Sequence, residues 1–189
     1  HPTGKPESEK SSLGIYFSKK PPQKVLLGGG LGSIKLDIAP GDKAYKVAES
    51  MTLPVDVEMI GITPHAHLIC REMKATFTPP LGTKRPLIWI KDWDFNWQDQ
   101  YQYKTPVRMP KGTKIDMEFS YDNSADNIHN PSTPPQRVRL GEQTTDEMAI
   151  LFFNVVLANQ ADANRFLQAM IEQQVAAGRD ARKRRIGLA

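Results

Sequence analysis

Cysteine is almost missing from this chain: Cys70 is the single one in 189 residues, so no internal disulfide can form. No apolar run approaches the ~20 residues of a membrane-spanning helix. No signal-peptide pattern stands at the start, so an exported protein would carry its signal upstream of His1. Excess charge is absent from the body. Lys and Arg total 25 and Asp and Glu 21; five of the former and one of the latter lie in residues 179–189, so the rest is neutral. The basic character belongs to the tail, and the body offers no charge-based case for nucleic acid. A phosphate loop is excluded as well. Gly28-Gly29-Gly30 lacks a following Gly-Lys-Ser/Thr, and no helix follows it. Asp122 to Pro135 holds Asp122, Asp126 and His129 among small polar residues, yet lacks the fixed spacing of an EF-hand loop. A solvated turn is the plainer reading of it.

What is present is β-sheet chemistry. Fifteen prolines and thirteen glycines punctuate short apolar runs, with 39% hydrophobic residues to fill a core. That pattern predicts an all-β, antiparallel β-sandwich of jelly-roll type. Strands are expected at Val25 to Leu27, Ile34 to Ile38, Tyr45 to Leu53, Val55 to Ile62, Glu72 to Thr78, Tyr101 to Val107, Thr113 to Tyr121, Arg137 to Leu140 and Ala149 to Ala158. Arg85 to Gln98 carries all three tryptophans, and as a strand it puts Trp89, Trp93 and Trp97 on one face. Such a face binds sugar rings or a partner, or packs against the second sheet; packing is the commoner use. Ala161 to Ala177 spaces Phe166, Leu167, Met170, Ile171 and Val175 three and four apart, as in one amphipathic helix. Asn159 or Asp162 is the expected cap. Gly178 is the expected end, with Arg179 to Arg185 able to extend it.

Histidine is scarce too, and two of the four sit together in Pro64-His65-Ala66-His67-Leu68. On a strand, positions i and i+2 share a face, so two parallel imidazoles would face one metal ion. Alone, His-x-His reads more readily as a polar strand face. A third ligand must come from elsewhere, and the candidate is Met148 in Gly141-Glu142-Gln143-Thr144-Thr145-Asp146-Glu147-Met148. A methionine heading an apolar strand is usually core. Two imidazoles and a thioether form a soft set of low charge, which favours Cu(I) over zinc or hard cations.

The segments PHAHL and GEQTTDEM, in this order and at about this separation, resemble the second domain of the copper type II, ascorbate-dependent monooxygenases. Peptidylglycine α-hydroxylating and dopamine β-monooxygenases are the best-known members. The likeness reaches to about Ala158. It implies a copper-dependent oxidoreductase that hydroxylates C–H bonds with dioxygen and ascorbate. His65, His67 and Met148 would be both the copper ligands and the catalytic site. It also implies a partner: a preceding domain, missing here, with a second copper site. His1-Pro2-Thr3-Gly4 resembles the sequence just after a ligand of that first site. Residues 1–21 then read as the end of the preceding domain plus a linker, with a strand at Ser12 to Ser18 and Pro21-Pro22 as the link. Residues 22–158 read as the copper domain, and 159–189 as an added helix with a basic tail. Peptide-hydroxylating members hold a substrate carboxylate with arginine, asparagine and tyrosine. Here those positions are Thr63, Ile150 and Phe152, so that substrate does not carry over. Animal members are disulfide-rich and this chain is not, which suits a bacterial protein that is periplasmic or secreted, and a cytosolic protein would show the same. His129 is a possible further ligand. Two other classes stay open: a copper-binding module without turnover, and a sandwich that binds a carbohydrate or a partner.

Overall fold

The computed structural model describes residues 4–185, with side chains through Gly178. His1 and the side chains of the basic tail lie outside the described residues. The chain forms ten strands and one helix: β1 Val25–Gly32, β2 Asp37–Ile38, β3 Tyr45–Thr52, β4 Val57–His65, β5 Cys70–Thr78, β6 Arg85–Ile90, β7 Tyr101–Met109, β8 Lys114–Tyr121, β9 Val138–Arg139, β10 Ile150–Leu157 and α1 Gln160–Arg185. One four-stranded sheet runs β1-β10-β4-β7 and the other β3-β8-β5-β6, with β2 and β9 as a separate pair. All named pairings are antiparallel. Setting β2 and β9 aside, the sheets are ordered first-eighth-third-sixth and second-seventh-fourth-fifth. This is the jelly-roll order, so the expected all-β sandwich with one C-terminal helix is the fold.

Alternation builds the core. Val47 and Met51 in β3, Ile115, Met117 and Phe119 in β8, and Leu151, Phe153 and Val155 in β10 point inward and are buried. They join one cluster with Met59 and Ile62 of β4 and Met73 and Ala75 of β5. The helix closes one edge of the sandwich. Asn159 caps it by accepting the Asp162 N–H at 3.0 Å, while its own amide donates to Asp162 at 2.9 Å. Ala163 and Phe166 are fully buried and Met170 partly so, whereas Leu167, Ile171 and Val175 stay exposed. The buried stripe is therefore narrower than the apolar spacing suggests.

Four expectations are corrected. Gly28-Gly29-Gly30 lies inside β1, not between strands. Opposite it on β10 stand Asn154, Phe153 and Phe152, and a Cβ at Gly29 would collide with the Phe153 ring and meet Phe166. The aromatic rings fill the space that glycine leaves. Ser12 to Ser18 forms no strand, and Leu13, Ile15, Tyr16 and Phe17 are exposed. The tryptophan segment is a strand only to Ile90. Gly178 does not end the helix: its φ is not positive, so it is no left-handed cap, and α1 continues to Arg185.

Candidate metal centre

The ladder of β4 ends at His65, which pairs with Ile150 of β10. His67 lies beyond it, where the chain bends toward β5. The cause is Glu147, a fully buried carboxylate. Its Oε2 accepts the His67 N–H at 2.7 Å and the Met148 N–H at 2.9 Å, and its Oε1 accepts the Ile69 N–H at 3.0 Å. The Cys70 amide adds to them. These N–H groups turn toward the carboxylate and leave the strand pattern. One oxygen thus ties the backbone of His67 to that of Met148. Tyr121 holds the other side, donating its hydroxyl to the Met148 carbonyl at 2.8 Å.

The bend corrects the expected ring geometry. The His65 and His67 rings are not parallel; their centroids lie 5.3 Å apart with planes at 80°. Phe95 stands edge-on to His67 at 6.0 Å. Trp93 is buried and donates its indole N–H to the His67 carbonyl at 2.9 Å. Trp89 and Trp97 are exposed. Lys74 and Lys91 lie over the Trp89 ring. The three tryptophans share no face, and Trp93 alone serves this corner.

Both imidazoles set Nδ1 against an oxygen acceptor. His67 Nδ1 lies 3.0 Å from the Asp146 carbonyl oxygen, which can only accept, so Nδ1 carries the proton. His65 Nδ1 lies 2.6 Å from Gln98 Oε1. The Gln98 amide is oriented because its Nε2 donates to the Phe95 carbonyl at 3.0 Å. His65 Nδ1 is therefore a donor as well. On each ring Nε2 is then the nitrogen that would take a metal ion. Burial, with His65 alongside, lowers the pKa of His67 against the pull of the Asp146 and Gln143 carbonyls.

Burial pushes the Glu147 carboxyl up to about 7, against the pull of its backbone N–H donors. Burial also pushes the Cys70 thiol well above its ordinary range, so it is no thiolate ligand. Among the described residues, no three His, Cys, Asp or Glu side chains group to hold a metal. A third ligand at this corner would have to be the thioether of Met148, a half-buried residue whose backbone N–H shares Glu147 Oε2 with that of His67. His129 is exposed on its loop, with its backbone N–H on Asn127 Oδ1. The 122–136 loop itself is not a loose turn: Asn123, Ser124 and Asn127 are buried in it. Sequence reasoning missed Glu147 and Gln98. An acidic residue directly before an apolar strand is the signal for the first; nothing in the sequence marks the second.

Fold and corner together define a jelly-roll sandwich with two neighbouring imidazoles at the end of β4, the backbone of one of them tied through Glu147 to that of Met148. No known family matches the chain, and no curated protein does. Among solved structures it is similar to that of infectious bursal disease virus Gx strain, with TM-score 0.33 and 9% identity over 78% of this chain and 38% of that one. It is also similar to the family 32 CBM from C. perfringens NanJ in complex with galactose, with TM-score 0.32 and 10% identity over 68% of this chain and 93% of that one. At these scores neither likeness bears on function. No helix among the described residues is long and apolar enough to cross a membrane.

Proposed function

We propose that this chain is the oxygen-activating copper domain of an ascorbate-dependent monooxygenase. His65 and His67 would hold copper through Nε2, with the Met148 sulfur as third ligand. The observation that carries this reading is the pair of neighbouring rings, each with Nδ1 set against an oxygen acceptor and with Nε2 left as the nitrogen for a metal ion. When bound, copper supplies one-electron chemistry with dioxygen at a site kept open by its three-ligand set.

The protein's part is preparation. Gln98 and the Asp146 carbonyl set the rings. Glu147 locks the His67 and Met148 backbones to one oxygen atom. Trp93 holds the His67 carbonyl and Phe95 stands against the ring, whose pKa burial lowers. No side chain is needed as a general base.

Anaerobic titration with Cu(I) tests the reading. One copper per chain is expected, with tight binding abolished by His65→Ala. Met148→Ile should weaken Cu(I) far more than Cu(II), because thioether sulfur is a poor ligand for the harder ion. The chain alone should give no ascorbate-driven hydroxylation above free copper, since one copper delivers one electron. Coupled turnover by this chain would show that a single site suffices. Copper held without His65 or Met148 would refute the ligand set.

A further inference from the structure

The outer surface of the β3-β8-β5-β6 sheet carries a hollow of about 400 Å³. Alternation puts it there. Val47, Met117, Met73 and Ala75 turn inward, so their neighbours Ala48, Glu118, Lys74 and Thr76 turn out. The register sets these in rows. Ala48, Glu118, Lys74 and Trp89 are cross-strand partners in one row, and Ser50, Asp116 and Thr76 form the next. Ala48, Ser50 and Thr76 are short and stand beside long charged side chains. Their shortness leaves the hollow, and Lys74, Lys84, Lys114, Glu49, Asp116 and Glu118 wall it. Its size lies within the range of small-ligand sites.

The lysines outnumber their partners. Asp116 holds two of them, Lys114 at 2.7 Å and Lys84 at 3.4 Å. Glu118 is paired with Lys46 at 3.5 Å, and Glu49, at the margin, with Lys35 at 2.8 Å. The three carboxylates of the hollow are therefore taken. Lys74 and the neighbouring Lys91 form no ion pair among the described residues. Both ammonium groups lie over the Trp89 ring instead, at 4.8 and 4.5 Å from its centre. Glu72 accepts the indole N–H at the edge of that ring. Trp89 is 51% exposed, and an indole at an exposed site attracts a cation weakly without neutralising it. Two like charges gathered on one ring repel each other, and an anion beside them relieves that.

The hollow and the Trp89 cluster together select the occupant. Lys74 and Lys91 call for an acidic group. Asp116 and Glu118, on the adjacent strand, call for hydrogen-bond donors and repel a further anion at close range. Polyphosphate offers acceptors only. A sugar acid offers both: a carboxylate for the lysines, and hydroxyls that donate to the carboxylates and accept from Lys84 and Lys114. Lys74 belongs to the hollow and to the Trp89 cluster alike, so one chain of rings reaches both.

We propose that this face binds an acidic polysaccharide built of uronic acid residues, with ring carboxylates on Lys74 and Lys91 and ring hydroxyls in the hollow. None of these residues belongs to the metal corner, and the claim does not depend on the copper reading.

The test is calorimetric titration of the full chain with two probes, hexagalacturonate and hexamannuronate. At least one should bind saturably at a single site. Replacing both surplus lysines, Lys74→Gln with Lys91→Gln, should weaken it about tenfold. Ser50→Trp fills the hollow without changing charge and should weaken it by as much. Neither variant should alter the far-ultraviolet circular dichroism or the affinity for Cu(I). The methyl-esterified hexamer keeps the hydroxyls and loses the charge, and should bind at least about tenfold more weakly than the acid. Failure of both hexamers to bind saturably overturns the proposal, as does equal binding of the esterified form. Polyphosphate bound through the same lysines more tightly than either hexamer overturns it too. Hexamer binding that ignores both variants, and disappears on Arg184→Gln with Arg185→Gln, belongs to the basic tail and contradicts the placement on this sheet.

Discussion

Two polar knots organise the loops of this sandwich, and they are built on opposite principles. In the 122–136 loop the knot is an amide. Asn123 donates from Nδ2 to the carbonyls of Ile38, Ala39 and Gln136, and accepts from Asn130 at 2.9 Å. At the His67 turn the knot is a carboxyl: Glu147 gathers backbone N–H groups from His67, Ile69 and Met148. Asn123 satisfies acceptors and carries no charge, so burying it costs little once it is bonded. Glu147 satisfies donors, and its burial is opposed strongly enough to push its pKa up to about 7. A fold seldom keeps a buried carboxyl for closure alone, when an amide closes the other loop. Its distinguishing product is the fixed placement of His67 against Met148.

The largest effect expected is from Glu147→Ala. The N–H groups of His67, Ile69, Cys70 and Met148 would lose their acceptor, at roughly 1–3 kcal/mol each before water relieves part of it. Urea unfolding should show a loss on the order of 4 kcal/mol, and Cu(I) affinity should fall with it.

Next comes pH. The Glu147 carboxyl has an ordinary pKa of 4.5, raised to about 7 in the folded chain. The folded state therefore holds a proton that the unfolded state releases. Its contribution is fully present below pH 4.5 and is lost as pH rises through 7, at up to about 1.4 kcal/mol per pH unit. The Glu147→Gln difference from the parent should trace that slope when unfolding is followed across the window, whereas an Asn123→Ala difference should be flat.

Asn123→Ala is the sharpening control. It should cost about 2 kcal/mol of stability by orphaning buried carbonyls, and leave Cu(I) affinity within twofold. A matching loss of copper binding would erase the distinction between the knots. Smaller still is Gln98→Leu, which removes the acceptor that orients His65 and should weaken copper about tenfold with little change in stability.

The contrast also explains what the sequence made legible. Strands such as Thr113 to Tyr121 announce themselves through alternation, because their inward residues pack on one core and their turns carry proline and glycine. The helix is legible through Phe166 and Met170 and its Asn159 cap. His65 and His67 stand out because the chain has four histidines; Met148, one of seven methionines, stands out through its place at the head of an apolar strand and through the family resemblance. The exact bend at His67 was not legible, because an acidic side chain 80 residues away in sequence imposes it. The tryptophan segment failed for a related reason. Even spacing suggested one face, but Trp93 is drawn inward by a bond to a carbonyl on another segment. The glycine triplet misled because a strand can run through glycines when the facing strand supplies phenylalanines.

The account stands or falls on whether the Glu147 corner brings sulfur to the two imidazoles. X-ray absorption on the Cu(I)-loaded chain measures this directly. Copper should show one sulfur and two imidazole nitrogens as neighbours, and Met148→Ile should delete the sulfur shell while both nitrogens remain. A first shell of nitrogen and oxygen alone in the parent protein, or a sulfur signal that survives Met148→Ile, would contradict it.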